Sequence, residues 1–124
     1  MRVLLVDDEE QLVSTLAERL ALRGIDARWV TSSKAALELV ETETFDLAIL
    51  DVKIPKISGI ELKKRLQVLR PAMKYIFLTG HGSEDDFKIG AAEAGEDFYL
   101  VKPVKIESLL EKMNEVMQRQ GDGK

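Results

Sequence analysis

The chain has 124 residues, of which 45% are hydrophobic and 32% charged, a balance that suits one globular domain. Its net charge of -4 and pI of about 5.1 argue against direct nucleic-acid binding, which requires a basic face. Cysteine is absent, which excludes disulfides and thiolate metal sites, and no apolar run approaches the ~20 residues of a membrane span. The opening run Val3–Val6 is too short for a secretory leader and is stopped by Asp7, so a reducing, cytoplasmic setting is expected.

Five short apolar runs alternate with five helical patterns. The first run, Val3–Val6, is continuous, as for a strand covered on both faces. After it, Leu12, Val13, Leu16, Ala17 and Leu20 form one helical face, with Gly24 as a closing C′ residue. The second run, Ala27–Val30, mixes polar and apolar residues and is assigned to a sheet edge. Thr31, Ser32 and Ser33 offer caps for a second helix with Ala36, Leu37 and Val40 on its inner face. The third run is Leu47–Leu50, followed by a third stripe of Leu62, Leu66 and Leu69 that Pro71 stops. Tyr75–Leu78 is the fourth run. The fourth helical pattern, Phe87 to Ala94 after a capping box at Ser83–Asp86, has few large side chains, and Gly90 weakens it by about 1 kcal/mol. Phe98–Val101 is the fifth run, and the last stripe is Ile106, Leu109, Leu110, Met113, Val116 and Met117. One domain over 1–120 is expected, with 121–124 a frayed tail or the start of a linker.

Alternating strands and helices of this kind predict an α/β fold with a parallel sheet. In such sheets the loops at the carboxyl ends of the strands converge on one crevice. Asp7 and Asp8 end the first strand, Asp51 the third, Thr79 the fourth and Lys102-Pro103 the fifth. Glu9 and Glu10 are read as acids favoured by the helix macrodipole. Carboxylates gathered this closely repel, and one retains a proton unless a cation intervenes. Mg²⁺ resolves the conflict, because it pairs carboxylates with phosphate oxygens and keeps several waters. The hydroxyl of Thr79 can donate to a phosphate oxygen, and Gly80 and Gly82 allow close backbone approach beside His81. His81 is the one histidine, so a multi-histidine metal site is excluded.

These residues together resemble the receiver domain of two-component response regulators. The signature is an acid pair after strand one, Asp–x–x–x–Pro–x–x–x–Gly after strand three, Thr or Ser after strand four and Lys-Pro after strand five. Asp7-Asp8, Asp51 through Pro55 to Gly59, Thr79 and Lys102-Pro103 fill it. The wording Thr79-Gly80-His81-Gly82 is similar to receivers of nitrogen-regulation-type activators and hybrid kinases.

The resemblance implies a flavodoxin-like (βα)5 doubly wound sheet of order 2-1-3-4-5 and a switch driven by phosphorylation. It implies Asp51 as phosphoacceptor, with Asp7, Asp8, Asp51 and the backbone carbonyl of Lys53 around Mg²⁺. Lys102 would pair with Asp51 and then with the phosphoryl group, Thr79 would bond a phosphoryl oxygen, and Tyr99 would turn inward behind it. Pro103 would follow a cis bond, and Lys53 and His81 would influence dephosphorylation. The partner would be a sensor histidine kinase or a histidine phosphotransfer protein. Helix four, strand five and helix five would form the output face toward a second copy or an effector. Ile54, Ser58, Glu96 and Lys105 depart from the usual pattern, and Lys105 predicts a weakly capped last helix. An aspartyl-nucleophile phosphatase is the rival reading. It expects a second acid two residues after the nucleophile, where this chain has Lys53.

Overall fold

A computed structural model describes residues 1–80 and 99–122 of the chain, with side chains as far as Gln118. The described elements are β1 (Arg2–Val6), α1 (Glu10–Ala21), β2 (Asp26–Val30), α2 (Ser33–Thr42), β3 (Leu47–Asp51), α3 (Gly59–Leu69), β4 (Lys74–Thr79), β5 (Tyr99–Val101) and a C-terminal helix (Ile106–Asp122). His81, Phe98 and the whole fourth helical pattern lie outside the described residues. The C-terminal helix continues to Asp122, two residues beyond the expected domain boundary.

All strand pairs are parallel, and the sheet order is β2-β1-β3-β4-β5. The mixed strand β2 is at the edge, as its sequence predicts, and exposes Asp26, Arg28 and Trp29. β1 and β3 sit inside the sheet, and their apolar residues are buried on both faces.

Strand alternation divides the core into two layers. Leu4, Val6, Ala48, Leu50, Tyr75, Phe77 and Tyr99 pack with Ala36 and Val40 of α2 and Leu62 and Leu66 of α3. Val3, Leu5, Leu47, Ile49, Ile76 and Leu78 pack with Val13, Leu16 and Leu20 of α1 and Ile106, Leu109, Met113 and Val116 of the C-terminal helix. The helical stripes read from the sequence therefore face the sheet, with one exception. Leu69, expected on the α3 stripe, is 47% exposed. It occupies the last turn, and Met73 fills the core beneath the end of the helix.

Local signals close the elements. Gly24 at φ +80° receives the chain as it leaves α1. Its N–H donates to Ala21, and the Ile25 N–H donates to Leu20, the paired bonds of a Schellman closure. Ser32 caps α2 by accepting from the Ala35 N–H at 3.1 Å. Ser58, a departure from the family pattern, caps α3 by accepting from the Glu61 N–H at 3.2 Å. At the amino edge of the sheet, Arg2 stacks over Phe45, pairs with Asp26 and Glu43, and donates to the Thr44 carbonyl. That cluster fastens the edge opposite the acidic loops.

Candidate functional site

The register of the sheet assembles the site. Val6 pairs with Leu50 in the last step of the β1–β3 ladder, so Asp7 and Asp51 leave it side by side. Thr79 pairs with Val101, and the Lys102 N–H donates to the Thr79 carbonyl at 2.9 Å. Alternation then decides which side chains meet. Asp7 continues the row of Val3 and Leu5, Asp51 that of Leu47 and Ile49, and Lys102 that of Leu100, all on the side of α1 and the C-terminal helix. Thr79 continues the row of Tyr75 and Phe77, on the side of Tyr99.

Asp7, Asp8 and Asp51 present carboxylate oxygens within 4.8 Å of one another. Asp7 is fully buried, Asp51 is 4% exposed, and Asp8 faces solvent. The Lys102 ammonium lies 2.8 Å from Asp7 Oδ2, 2.9 Å from Glu9 Oε1 and 3.4 Å from Asp51 Oδ2. The Glu9 N–H donates to Asp7 Oδ1 at 2.9 Å, and the Lys53 N–H donates to Asp51 Oδ1 at 3.3 Å. Asp7 Oδ2 meets the ammonium but no well-aligned hydrogen-bond donor.

The electrostatics follow from burial and crowding. Burial and the charge of Asp7 push the Asp51 carboxyl up to about 6, against the opposing pull of Lys102. Burial also raises Asp7, more than its bonds to Lys102 and Glu9 lower it. Burial would lower the Lys102 ammonium, but its bonds to Asp7 and Glu9 and the charges of Asp51 and Asp7 outweigh that and leave it above its ordinary value. One ammonium among these acids leaves excess negative charge, which a divalent cation would neutralise. The donor set fits Mg²⁺: three carboxylates, one solvent-facing for access, and a buried Asp7 oxygen with spare acceptor capacity.

The loop after Asp51 is held closely. The Gly59 N–H donates to the Val52 carbonyl at 2.9 Å. A Cβ at residue 59 would overlap the Asp51 carbonyl oxygen and lie 3.1 Å from Val52 Cα. Glycine is required there for close approach of two backbones. The buried Ser33 hydroxyl donates to the Ile57 carbonyl at 2.7 Å and ties the same loop to the start of α2. Lys56 occupies the left-handed region at φ 72°.

Of the residues singled out in the sequence, Asp7, Asp8, Asp51 and Lys102 come together. Thr79 is buried at the same edge, and Tyr99 is buried and stacked on Phe77 at 5.5 Å between ring centroids. The Lys102–Pro103 bond is cis, and the Lys53 side chain is exposed. His81 lies outside the described residues. Glu9 sits at the N-terminus of α1, where its acid was expected, without a side-chain capping bond, and its carboxylate also reaches Lys102. An acid following Asp7-Asp8 carries no sign in sequence of a partner 93 residues away.

A doubly wound sheet with an acid cluster and a lysine at its switch point defines the class of protein. Residues 3–114 match the response regulator receiver domain, and the chain belongs to that family. It is 34% identical over 118 residues to the alkaline phosphatase synthesis transcriptional regulatory protein PhoP of Bacillus subtilis, covering 95% of this chain and 49% of that protein. It is 36% identical over 120 residues to the sensory transduction protein RegX3 of Mycobacterium tuberculosis, covering 97% of this chain and 52% of that one. The chain thus spans about half the length of these curated relatives. Among solved structures, a CheY-like receiver domain protein from Methanospirillum hungatei superposes with a TM-score of 0.86 at 33% identity, covering 99% of this chain and 98% of that one. A response regulator from Burkholderia pseudomallei, whose crystal structure carries a phosphorylated aspartic acid, a calcium ion and citrate, has a TM-score of 0.80 at 31% identity, covering 98% of this chain and 72% of that one. Among the described residues no helix is long and apolar enough to cross a membrane.

Proposed function

We propose that this chain is a cytoplasmic signalling switch that accepts a phosphoryl group on Asp51 from a sensor histidine kinase or a histidine phosphotransfer protein. The carrying observation is the placement of Lys102 between two buried carboxylates, 2.8 Å from Asp7 and 3.4 Å from Asp51. The phosphorylated aspartic acid of the Burkholderia response regulator supports the same reading.

An ionised Asp51 oxygen attacks phosphorus as the P–N bond of a phosphohistidine breaks, and the departing imidazole takes its proton from solvent. The transition state of such transfers is loose, so placement and charge neutralisation dominate. Asp7, Asp8, Asp51 and the Lys53 carbonyl would hold Mg²⁺, which supplies positive charge against the phosphoryl oxygens. Lys102 supplies the second positive charge from the β5 side. Asp51 titrates near 6, so it is mostly ionised at neutral pH and needs no separate base. Thr79 then donates its hydroxyl to a phosphoryl oxygen, and Tyr99 answers from the same side of the sheet. Lys53, two residues past the acceptor, affects access of the hydrolytic water, as does His81. Replacing Lys53 with Asn should change the lifetime of the phosphorylated form; an unchanged lifetime would remove that role.

The added charge of roughly -1.5 to -2 is carried to an output face built from the segment after Thr79, β5 and the C-terminal helix. That face would meet a second copy or a downstream effector, not nucleic acid directly. A crystal grown with beryllofluoride and Mg²⁺ tests the assignment. The adduct should form on Asp51 with the metal among Asp7, Asp8 and Asp51, and an adduct on another residue would overturn it.

A further inference from the structure

Lys102 carries three N–H donors and faces three carboxylates. Its Nζ donates to Glu9 Oε1 at 2.9 Å, the length of a charge-assisted hydrogen bond, and lies 2.8 Å from Asp7 Oδ2 as an ion pair. The approach to Asp51, at 3.4 Å, is longer than such a bond. The ammonium therefore leans away from the acceptor carboxylate. Glu9 lies outside the acid cluster of Asp7, Asp8 and Asp51, and its side chain is 63% exposed. Its backbone is fixed by the N–H bond to Asp7 Oδ1, and it has no capping bond to α1. Among the described residues its side chain has one ion-pair and hydrogen-bond partner, the lysine.

We propose that Glu9 is a positioning residue that draws the Lys102 ammonium outward, shares it with Asp7, and withholds it from an anion bound at Asp51. The proposal rests on Asp51 being the phosphoryl acceptor. The contact is weak because of its surroundings: an ion pair with an exposed partner yields a factor of roughly two to five. It restrains the lysine without locking it.

Two ligands should report this contact with opposite sign. An anion on Asp51 draws Lys102 from Glu9, so loss of Glu9 removes a cost and tightens anion binding. A cation among the acids competes with Lys102 for Asp7. Glu9 gives the ammonium another partner, so its loss leaves Lys102 more fully on Asp7 and Asp51 and weakens cation binding. A general folding defect would weaken both.

The test compares the full chain with its Glu9→Gln and Glu10→Gln variants. Mg²⁺ binding is measured alone by titration calorimetry, and beryllofluoride binding at saturating Mg²⁺ by fluorine NMR. Glu10→Gln removes the same charge one residue away, from a side chain with no ion pair to Lys102 among the described residues. The expected result for Glu9→Gln is beryllofluoride affinity roughly two- to fivefold tighter and Mg²⁺ affinity weaker, with Glu10→Gln close to the parent in beryllofluoride affinity. Equal gains in both variants would assign the effect to the general field and overturn the proposal, as would unchanged or weaker beryllofluoride binding in Glu9→Gln. If the parent chain binds no beryllofluoride, the acceptor assignment itself falls and takes the proposal with it.

Discussion

Asp51 is costly to the fold before it is useful to the switch. Its folded value of about 6 lies above the ordinary 3.8, so the folded state binds the proton more tightly than the unfolded one. That favours folding at low pH, and the benefit is lost as pH rises from about 4 to about 6. At neutral pH, without metal, Asp51→Asn should therefore raise stability by about 3 kcal/mol. Urea unfolding in chelator at pH 7.5 checks this, and a destabilised variant would show that the carboxylate is well compensated by Lys102. Gly59 works through proximity: a methyl group there meets the Asp51 carbonyl. Gly59→Ala should cost about 1–3 kcal/mol and weaken Mg²⁺ binding, measured by unfolding and calorimetry. Wild-type values for both would mean that the loop yields easily. The sequence motif contains Gly59 but not this reason for it, because the contact is between backbone segments that only the folded loop brings together. Glu9 was equally hidden: its neighbours suggest helix polarity, and its partner follows a distant strand.

At the scale of elements, the described strands and helix faces were legible because strand alternation and helical period each turn their apolar residues toward a packed layer. Continuous apolar runs mark β1 and β3 as buried on both sides, and the broken pattern of β2 marks the edge. The last turn of α3 was not legible, since Leu69 fits the stripe by spacing while Met73 occupies the core. Ser58 also looked like a simple departure from pattern until its oxygen was seen on the Glu61 N–H. Removing that cap by Ser58→Ala should destabilise the fold by about 1 kcal/mol. A urea midpoint equal to the parent's, at unchanged slope, would show that solvent satisfies the helix end as well as serine does.

Across the whole molecule, one edge of the sheet carries the acids and Lys102, and the opposite edge is fastened by Arg2 with Asp26 and Glu43. The acidic edge was legible because four strand ends each close on a polar residue, and parallel topology makes such ends neighbours. Charge added at that edge should be felt along β5 and the segment before it. Hydrogen exchange with beryllofluoride bound should change protection within residues 83–104; identical protection there would contradict the proposed output face. The acceptor itself is tested most directly by exposing the parent chain and Asp51→Asn to acetyl phosphate, with and without Mg²⁺, and weighing the intact proteins. The expected result is a single acid-labile phosphoryl group on the parent chain, dependent on Mg²⁺ and missing from Asp51→Asn. Full labelling of Asp51→Asn, or labelling of the parent chain indifferent to Mg²⁺, would contradict it.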